Sequence, residues 1–237
     1  MTNSEIKKIC EANGLLNKYD FDVTFATRFY ITHNQKLNKD ILIRHWLKSD
    51  IAEGYNNPPA KRRSQKYLIE AILLSDDDNA KQKVDRIGKV EYDLYFNSTA
   101  GHKPSGILNK YQVEREHKGI NFQGKGIGYT LFKLMENHMI ERDSFYFYLN
   151  VLPDINSFEF SFAEFMEGRI TATDQLKHIY EKLGMRQDQY NPFVMQKNLT
   201  ANDLHSLESL KLEPIDFEAI LIETQPTQPI SDAIPVI

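Results

Sequence analysis

The hexapeptide Gln123-Gly124-Lys125-Gly126-Ile127-Gly128 constrains this chain more than any other segment, because of what stands on either side of it. Before it, Ile107 to Glu116 carries Tyr111, Val113 and Arg115 on one face, in the alternation of a strand. After it, Ile127, Leu131, Leu134, Met135, His138 and Met139 form one helical stripe. Phe145 to Val151 then reads as a further strand, buried on both faces. A strand, a glycine turn, a helix and a strand within about fifty residues make the succession that a parallel crossover needs. Glycines at such a turn let the chain bend sharply and let a ligand approach without meeting Cβ atoms. The first N–H groups of the helix face that space and its dipole adds partial positive charge, so a phosphate is the natural occupant.

Elsewhere the chain divides into short elements. Glu5 to Leu16 reads as a helix closed around Gly14, and Phe21 to Ile31 as a strand. Lys39 to Lys48 predicts a helix with Ile41, Leu42, His45 and Trp46 on one stripe. Arg63 to Leu74 predicts another, through Tyr67, Leu68, Ala71, Ile72 and Leu74. Between them Gly54 to Pro59 is a loop, and the aspartates of Ser75 to Asn79 mark a solvated turn. Val84 to Phe96 alternates through Val90, Tyr92, Leu94 and Phe96, and the turn Ser98 to Gly106 makes it an antiparallel neighbour of Ile107 to Glu116. Downstream, Leu152 to Thr173 is a Phe-rich inserted excursion, Asp174 to Leu183 a helix ended by Gly184, and Phe193 to Lys197 a short strand. A helix near Ala201 to Leu212 and a proline-containing tail, its last dozen residues expected to be mobile, complete the chain. We expect one domain over residues 1–199, with 200–237 appended to it.

Composition narrows the function classes. At 237 residues, 41% hydrophobic and 26% charged, the chain suits one soluble globular domain with extensions. Lysine and arginine number 29 against 33 acidic residues, a net charge of −4, so there is no global basic field for wrapping nucleic acid. The single cysteine, Cys10, excludes an internal disulfide or a cysteine-rich zinc site and fits a reducing compartment. Residues Met1 to Leu16 contain no signal-peptide core, and Phe145 to Leu152 falls far short of the roughly 20 residues of a membrane span. The expectation is a cytoplasmic protein without membrane, nucleic-acid or metal partners, its oligomeric state open, a dimer included.

Spacing separates the devices that use a glycine loop for phosphate. Gly119 to Lys125 fits the nucleotide-hydrolase loop G-x-x-x-x-G-K, but Gly126 stands where a Ser or Thr must hold magnesium. Gly124, Gly126 and Gly128 give G-x-G-x-G, not the dinucleotide G-x-G-x-x-G, and Glu114, Glu116, His117 and Lys118 before them are too polar for a buried first strand. The pattern (Gln/Arg)-x-x-Gly-x-(Gly/Ala) is met in full by Gln123, Gly126 and Gly128, with Phe122 just before. This stretch resembles the acyl-coenzyme A motif of the GNAT superfamily of N-acetyltransferases. Ile179-Tyr180-Glu181-Lys182-Leu183-Gly184-Met185 is similar to the family's fourth-helix signature, and Phe193 to Lys197 falls where its last strand returns. The resemblance covers roughly Val84 to Leu199. The link from His117 to Phe122 is longer than in the family, and about twenty residues intervene between Asn156 and Tyr180.

The resemblance implies an α/β fold: a mixed, mostly antiparallel twisted sheet of six to seven strands, splayed in the middle and flanked by helices. It implies an N-acyltransferase moving an acyl group, acetyl by default, from an acyl-coenzyme A co-substrate such as acetyl-CoA to an amine acceptor, small molecule or peptide. Main-chain amides of Gln123, Gly124, Lys125, Gly126, Ile127 and Gly128 would hold the pyrophosphate. The pantetheine arm would lie between Ile107 to Glu116 and Phe145 to Val151, where a strand N–H polarises the thioester. Tyr180 is then the candidate general acid for the departing thiolate, and Glu114, Glu116, His117 and Asp154 are candidate bases beside a water chain. Two other readings are a non-enzymatic acyl-CoA sensor and a divergent P-loop nucleotide hydrolase.

Overall fold

The computed structural model describes residues 2–16, 27–54, 61–74, 84–97, 103–151, 174 and 176–217. Helix α1 (Asn3–Ala12) opens with a reciprocal cap, in which Thr2 accepts from the Glu5 N–H and Glu5 accepts from the Thr2 N–H at 2.6 Å. Strands β1 (Arg28–Asn34), β2 (Lys39–Gly54), β3 (Lys61–Leu73), β4 (Asp85–Asn97) and β5 (Ser105–Val113) form an antiparallel meander. A small hairpin of β6 (Glu116–His117) and β7 (Ile120–Asn121) leads through the glycine loop into α2 (Ile127–Glu141). Then come β8 (Tyr146–Asn150), helix α3 (176–182), β9 (Arg186–Gln187), β10 (Val194–Asn198), a 3-10 turn at Ala201–Asp203 and β11 (Glu213–Ile215).

Among the described residues the main sheet runs β11-β1-β2-β3-β4-β5-β8-β10-β9 and is parallel only between β5 and β8. The α/β class with a mostly antiparallel sheet agrees with the sequence expectation. Nine strands, rather than six to seven, do not. The surplus lies where helices were expected: 39–48 belongs to β2, and 63–73 of the helix expected over 63–74 belongs to β3. Both strands are covered on both faces. Ile41, Ile43, Tyr67, Ile69 and Ala71 join the core beneath α2, while the alternate Leu42 and Ile72 pack with Ile6, Cys10 and Phe29 beneath α1. Double burial replaces polar alternation with a continuous apolar run, which periodicity does not separate from a helix stripe. The helix expected at Ala201 to Leu212 is likewise absent; a 3-10 turn and further turns lead to β11, which pairs with β1. Asn137 fastens this segment: its amide donates to the His205 carbonyl at 2.6 Å and its Oδ1 accepts from the His205 N–H at 2.9 Å. The excursion at 152–173, the turns at 55–59 and 75–79 and the tail from 218 lie outside the described residues, as does most of the strand expected from Phe21.

Under the C-terminal half of α2 lies a polar cluster inside the core. The Tyr92 hydroxyl is 2.8 Å from His45 Nε2 and 2.6 Å from His138 Nδ1, and because a phenol has one proton, at least one of the two imidazoles donates to it. Tyr67 stacks on Tyr92 with ring centroids 5.4 Å apart. Burial, with the Arg28 charge adding, pulls His45 down to about 3. Burial first, then His45, Arg28 and Arg142, holds His138 well below the ordinary imidazole range. Both imidazoles are therefore neutral when folded, and the unfolded chain binds more protons once pH falls below the ordinary histidine value near 6.5. Stability should be whole above that value and decline as pH falls through it, by about 1.4 kcal/mol per pH unit for each imidazole. Urea midpoints at pH 7.5 and 5.5 check this: the wild type should lose stability and His45→Gln/His138→Gln should show a flatter slope, whereas parallel slopes would contradict it.

Candidate functional site

β5 and β8 meet only at Gly106 with Phe147 and Ile107 with Tyr148, and then part. The cause is visible on the other side of β5. Glu91 pairs with Lys110 and Tyr92 with Leu108, so Asn109 is an extra residue, and the bulge turns β5 away from β8. Among the described residues the β8-facing edge of β5 has no strand partner beyond Ile107, and its peptide groups open into the gap. There a cleft of about 500 Å³ is walled by Leu108 to Gln112, by Leu149 to Val151, and by Leu176 and Tyr180 of α3.

Tyr180 reaches the cleft because of how α3 ends. Gly184 takes φ +86°, the Met185 N–H donates to the Tyr180 carbonyl at 3.0 Å, and the Gly184 N–H donates to the Glu181 carbonyl at 2.9 Å. This is the double closure of a helix on a left-handed glycine, and it places Tyr180 and Met185 on the buried side. Tyr180 is 7% exposed yet forms part of the cleft wall. Burial, with Tyr111 adding, pushes its phenol up to about 12. Tyr111 of β5 faces it across 6.0 Å between ring centroids, and burial raises that phenol to about 12 as well.

The glycine loop touches this cleft through Tyr111. A Cβ on Gly128 would run into the Tyr111 hydroxyl and would stand 3.1 Å from Val113, so only glycine lets the first turn of α2 sit this close to β5. Gly126, the N-cap of α2, has φ +85° and supplies no side-chain cap. Gly124 has φ +68°, with Lys125 of ordinary hand between them, and successive residues of opposite hand aim their N–H groups into one concavity. The Gln123 N–H is taken by Asn121 Oδ1 at 2.8 Å. Among the described residues none accepts from the N–H groups of Gly124 to Tyr129. Lys125, Gly126 and Ile127 also line a smaller cavity of about 290 Å³, shared with Asn34, Lys36 and Lys211.

The structure thus brings Tyr180, the β5–β8 gap and, through Tyr111, the helix start into one neighbourhood. It does not bring Glu114 or Glu116 to the cleft wall. Glu114 accepts from Gln112 at 3.3 Å just past β5, Glu116 is exposed on β6, and His117 sits 3.0 Å from Asp85. Asp154 and Asn156 lie outside the described residues. Sequence reasoning missed the bulge at Asn109 and the cleft role of Tyr111, which it read as an ordinary strand-face residue. Among the described residues no group of three or more His, Cys, Asp or Glu stands ready for a metal, and no helix is long and apolar enough to cross a membrane.

No family model matches the sequence, and no curated protein matches it. Solved structures give distant likenesses. One is a chain of a KacTA–DNA complex, 14% identical, covering 66% of this chain and 74% of that one, with a TM-score of 0.34. Another is a structure of the AtaT toxin, a tyrosine-to-phenylalanine mutant bound to the C-terminus of the antitoxin AtaR. It is 12% identical and covers 69% of this chain and 73% of that one, with a TM-score of 0.32. Likenesses at that level leave activity and partners to be argued from the residues themselves.

Proposed function

We propose that the chain is a coenzyme A-dependent N-acyltransferase with a GNAT-like core, acetyl being the default acyl group. The observation that carries the reading is the bulge-driven gap between two parallel strands, with Tyr180 in its wall and a glycine-started helix against the same strand. A pantetheine arm fits a gap whose β5 edge has no strand partner among the described residues, and a diphosphate fits the N–H groups of Gly124 to Gly128. In this reading a neutral amine attacks the thioester carbon, and a β5 N–H stabilises the oxyanion. The carbon–sulfur bond then breaks, Tyr180 gives its proton to the thiolate sulfur, and the proton released by the amine returns to the phenolate through water. A phenol raised to about 12 stays protonated at neutral pH, as that role requires.

A second reading, an acyl-CoA sensor without turnover, is favoured by one fact: among the described residues the cleft wall has no carboxylate or imidazole to serve as base. Thiol release from acetyl-CoA across a panel of primary amines separates the two. Acceptor-dependent release supports the transferase; binding with no release under any amine supports the sensor.

A further inference from the structure

The glycine loop does not hold its shape alone. The Asn34 amide donates from Nδ2 to the Lys125 carbonyl at 2.9 Å, across 91 positions of sequence, and the Lys36 ammonium donates to the Gly124 carbonyl at 3.0 Å. Both residues come from the end of β1 and the tight turn that joins it to β2. Asn34 is itself fixed there, because its Oδ1 accepts from the Leu37 N–H at 3.2 Å and its carbonyl accepts from the same N–H at 3.1 Å. With Oδ1 directed at the turn, the plane of the amide is set, and one of its two N–H donors meets the Lys125 carbonyl.

A trans peptide unit is planar, with C=O and N–H on opposite sides. Once the Gly124 and Lys125 carbonyls are held toward the β1–β2 turn, the N–H groups of Lys125 and Gly126 must point away from it. Left-handed glycines on a free loop have no such constraint, since glycine crosses between hands at little steric penalty. A flipped peptide at either unit would put a carbonyl oxygen where an anion should sit. Open space lies where Cβ atoms on Gly124 and Gly126 would stand, so no neighbouring atom packs against either α-carbon on that side.

We infer that the β1–β2 turn is the positioning element of the anion cradle: Asn34, with Lys36 beside it, pins the loop carbonyls so that the N–H groups face a diphosphate. The inference rests on the transferase reading for the identity of the ligand. It assigns Asn34 a role through the loop and none in contact with the reacting atoms. Lys36 adds a charge next to the same loop, so its share weakens with salt while that of Asn34 does not.

The test uses Asn34→Ser. A serine hydroxyl still accepts from the turn N–H but is too short to reach Lys125. Calorimetry with coenzyme A and kinetics with S-acetylpantetheine, which has no diphosphate, are compared in the two proteins. The variant should bind coenzyme A about tenfold more weakly, the loss of one oriented charge-assisted contact, while kcat/KM for S-acetylpantetheine stays within about twofold. Unchanged coenzyme A affinity in the variant, or equal losses with both ligands, overturns the positioning role alone. Wild-type protein that takes up no coenzyme A overturns the transferase reading and this inference with it.

Discussion

Tyr180→Phe should lower acceptor-dependent thiol release by about a hundredfold or more, while the affinity for acetyl-CoA stays within about twofold. The substitution keeps the ring that fills the space beside Tyr111 and removes only the proton donor, so folding is preserved and the loss falls on turnover. General acids contribute most when the leaving group is left as an unstable anion. A thiolate is a fair leaving group, which puts the effect toward the lower end of the usual range. Because burial and then Tyr111 push this phenol up to about 12, no descending limb from Tyr180 should appear in the rate profile up to pH 10. Turnover in Tyr180→Phe equal to the wild type would remove Tyr180 from the chemistry.

The largest stability effect should come from Glu136→Leu. Glu136 has no exposure and accepts from Lys133 at 2.7 Å and from Lys197 at 2.6 Å. Lys197 in turn donates to the Leu183 carbonyl at 3.3 Å, the last turn of the helix that carries Tyr180. Burial draws the Lys197 ammonium down, but Glu136 and then Asp203 more than offset it, and it titrates above the ordinary lysine value. Removing the carboxylate leaves two buried ammonium groups short of their main partner, at a loss of about 3–5 kcal/mol. Replacing all three residues by apolar ones, as Lys133→Met/Glu136→Leu/Lys197→Met, should recover most of that, because the desolvation of the charges disappears with them. Urea denaturation of the single and triple variants decides it; equal instability in the two would contradict this account of the network.

Legibility in the sequence followed solvent exposure. β4 and β5 were readable as an alternating antiparallel pair, and the loop, α2, α3 and β10 stand where their patterns put them. β8 stands in its expected place but buries one face and not two: Phe147 and Leu149 are covered, whereas Tyr146 and Tyr148 are half-buried and Asn150 is exposed. α3 was legible down to its terminator, since Gly184 followed by an apolar residue has one common structural meaning. β2 and β3 were not, because Ile41-Leu42-Ile43 and Ile69 to Leu74 bury both faces and their spacing imitates a helix stripe. Their β-branched isoleucines were the available signal. At the site, the glycine loop and Tyr180 were legible as local motifs. Asn109, Tyr111 and Asn34 were not, because each acts through a partner distant in sequence: Glu91 and Tyr92 across the ladder, Gly128 beneath a phenol, and Lys125 across a turn.

The central claim is that bare main-chain donors at residues 124–128 hold a diphosphate at the mouth of the β5–β8 gap. Calorimetric titration of the folded protein with acetyl-CoA, repeated in the presence of inorganic pyrophosphate, tests it most directly. Saturable heat at one site, with the affinity for acetyl-CoA weakened by pyrophosphate, is the predicted result. No heat with acetyl-CoA or a longer-chain acyl-CoA, or binding that pyrophosphate leaves untouched, would contradict it.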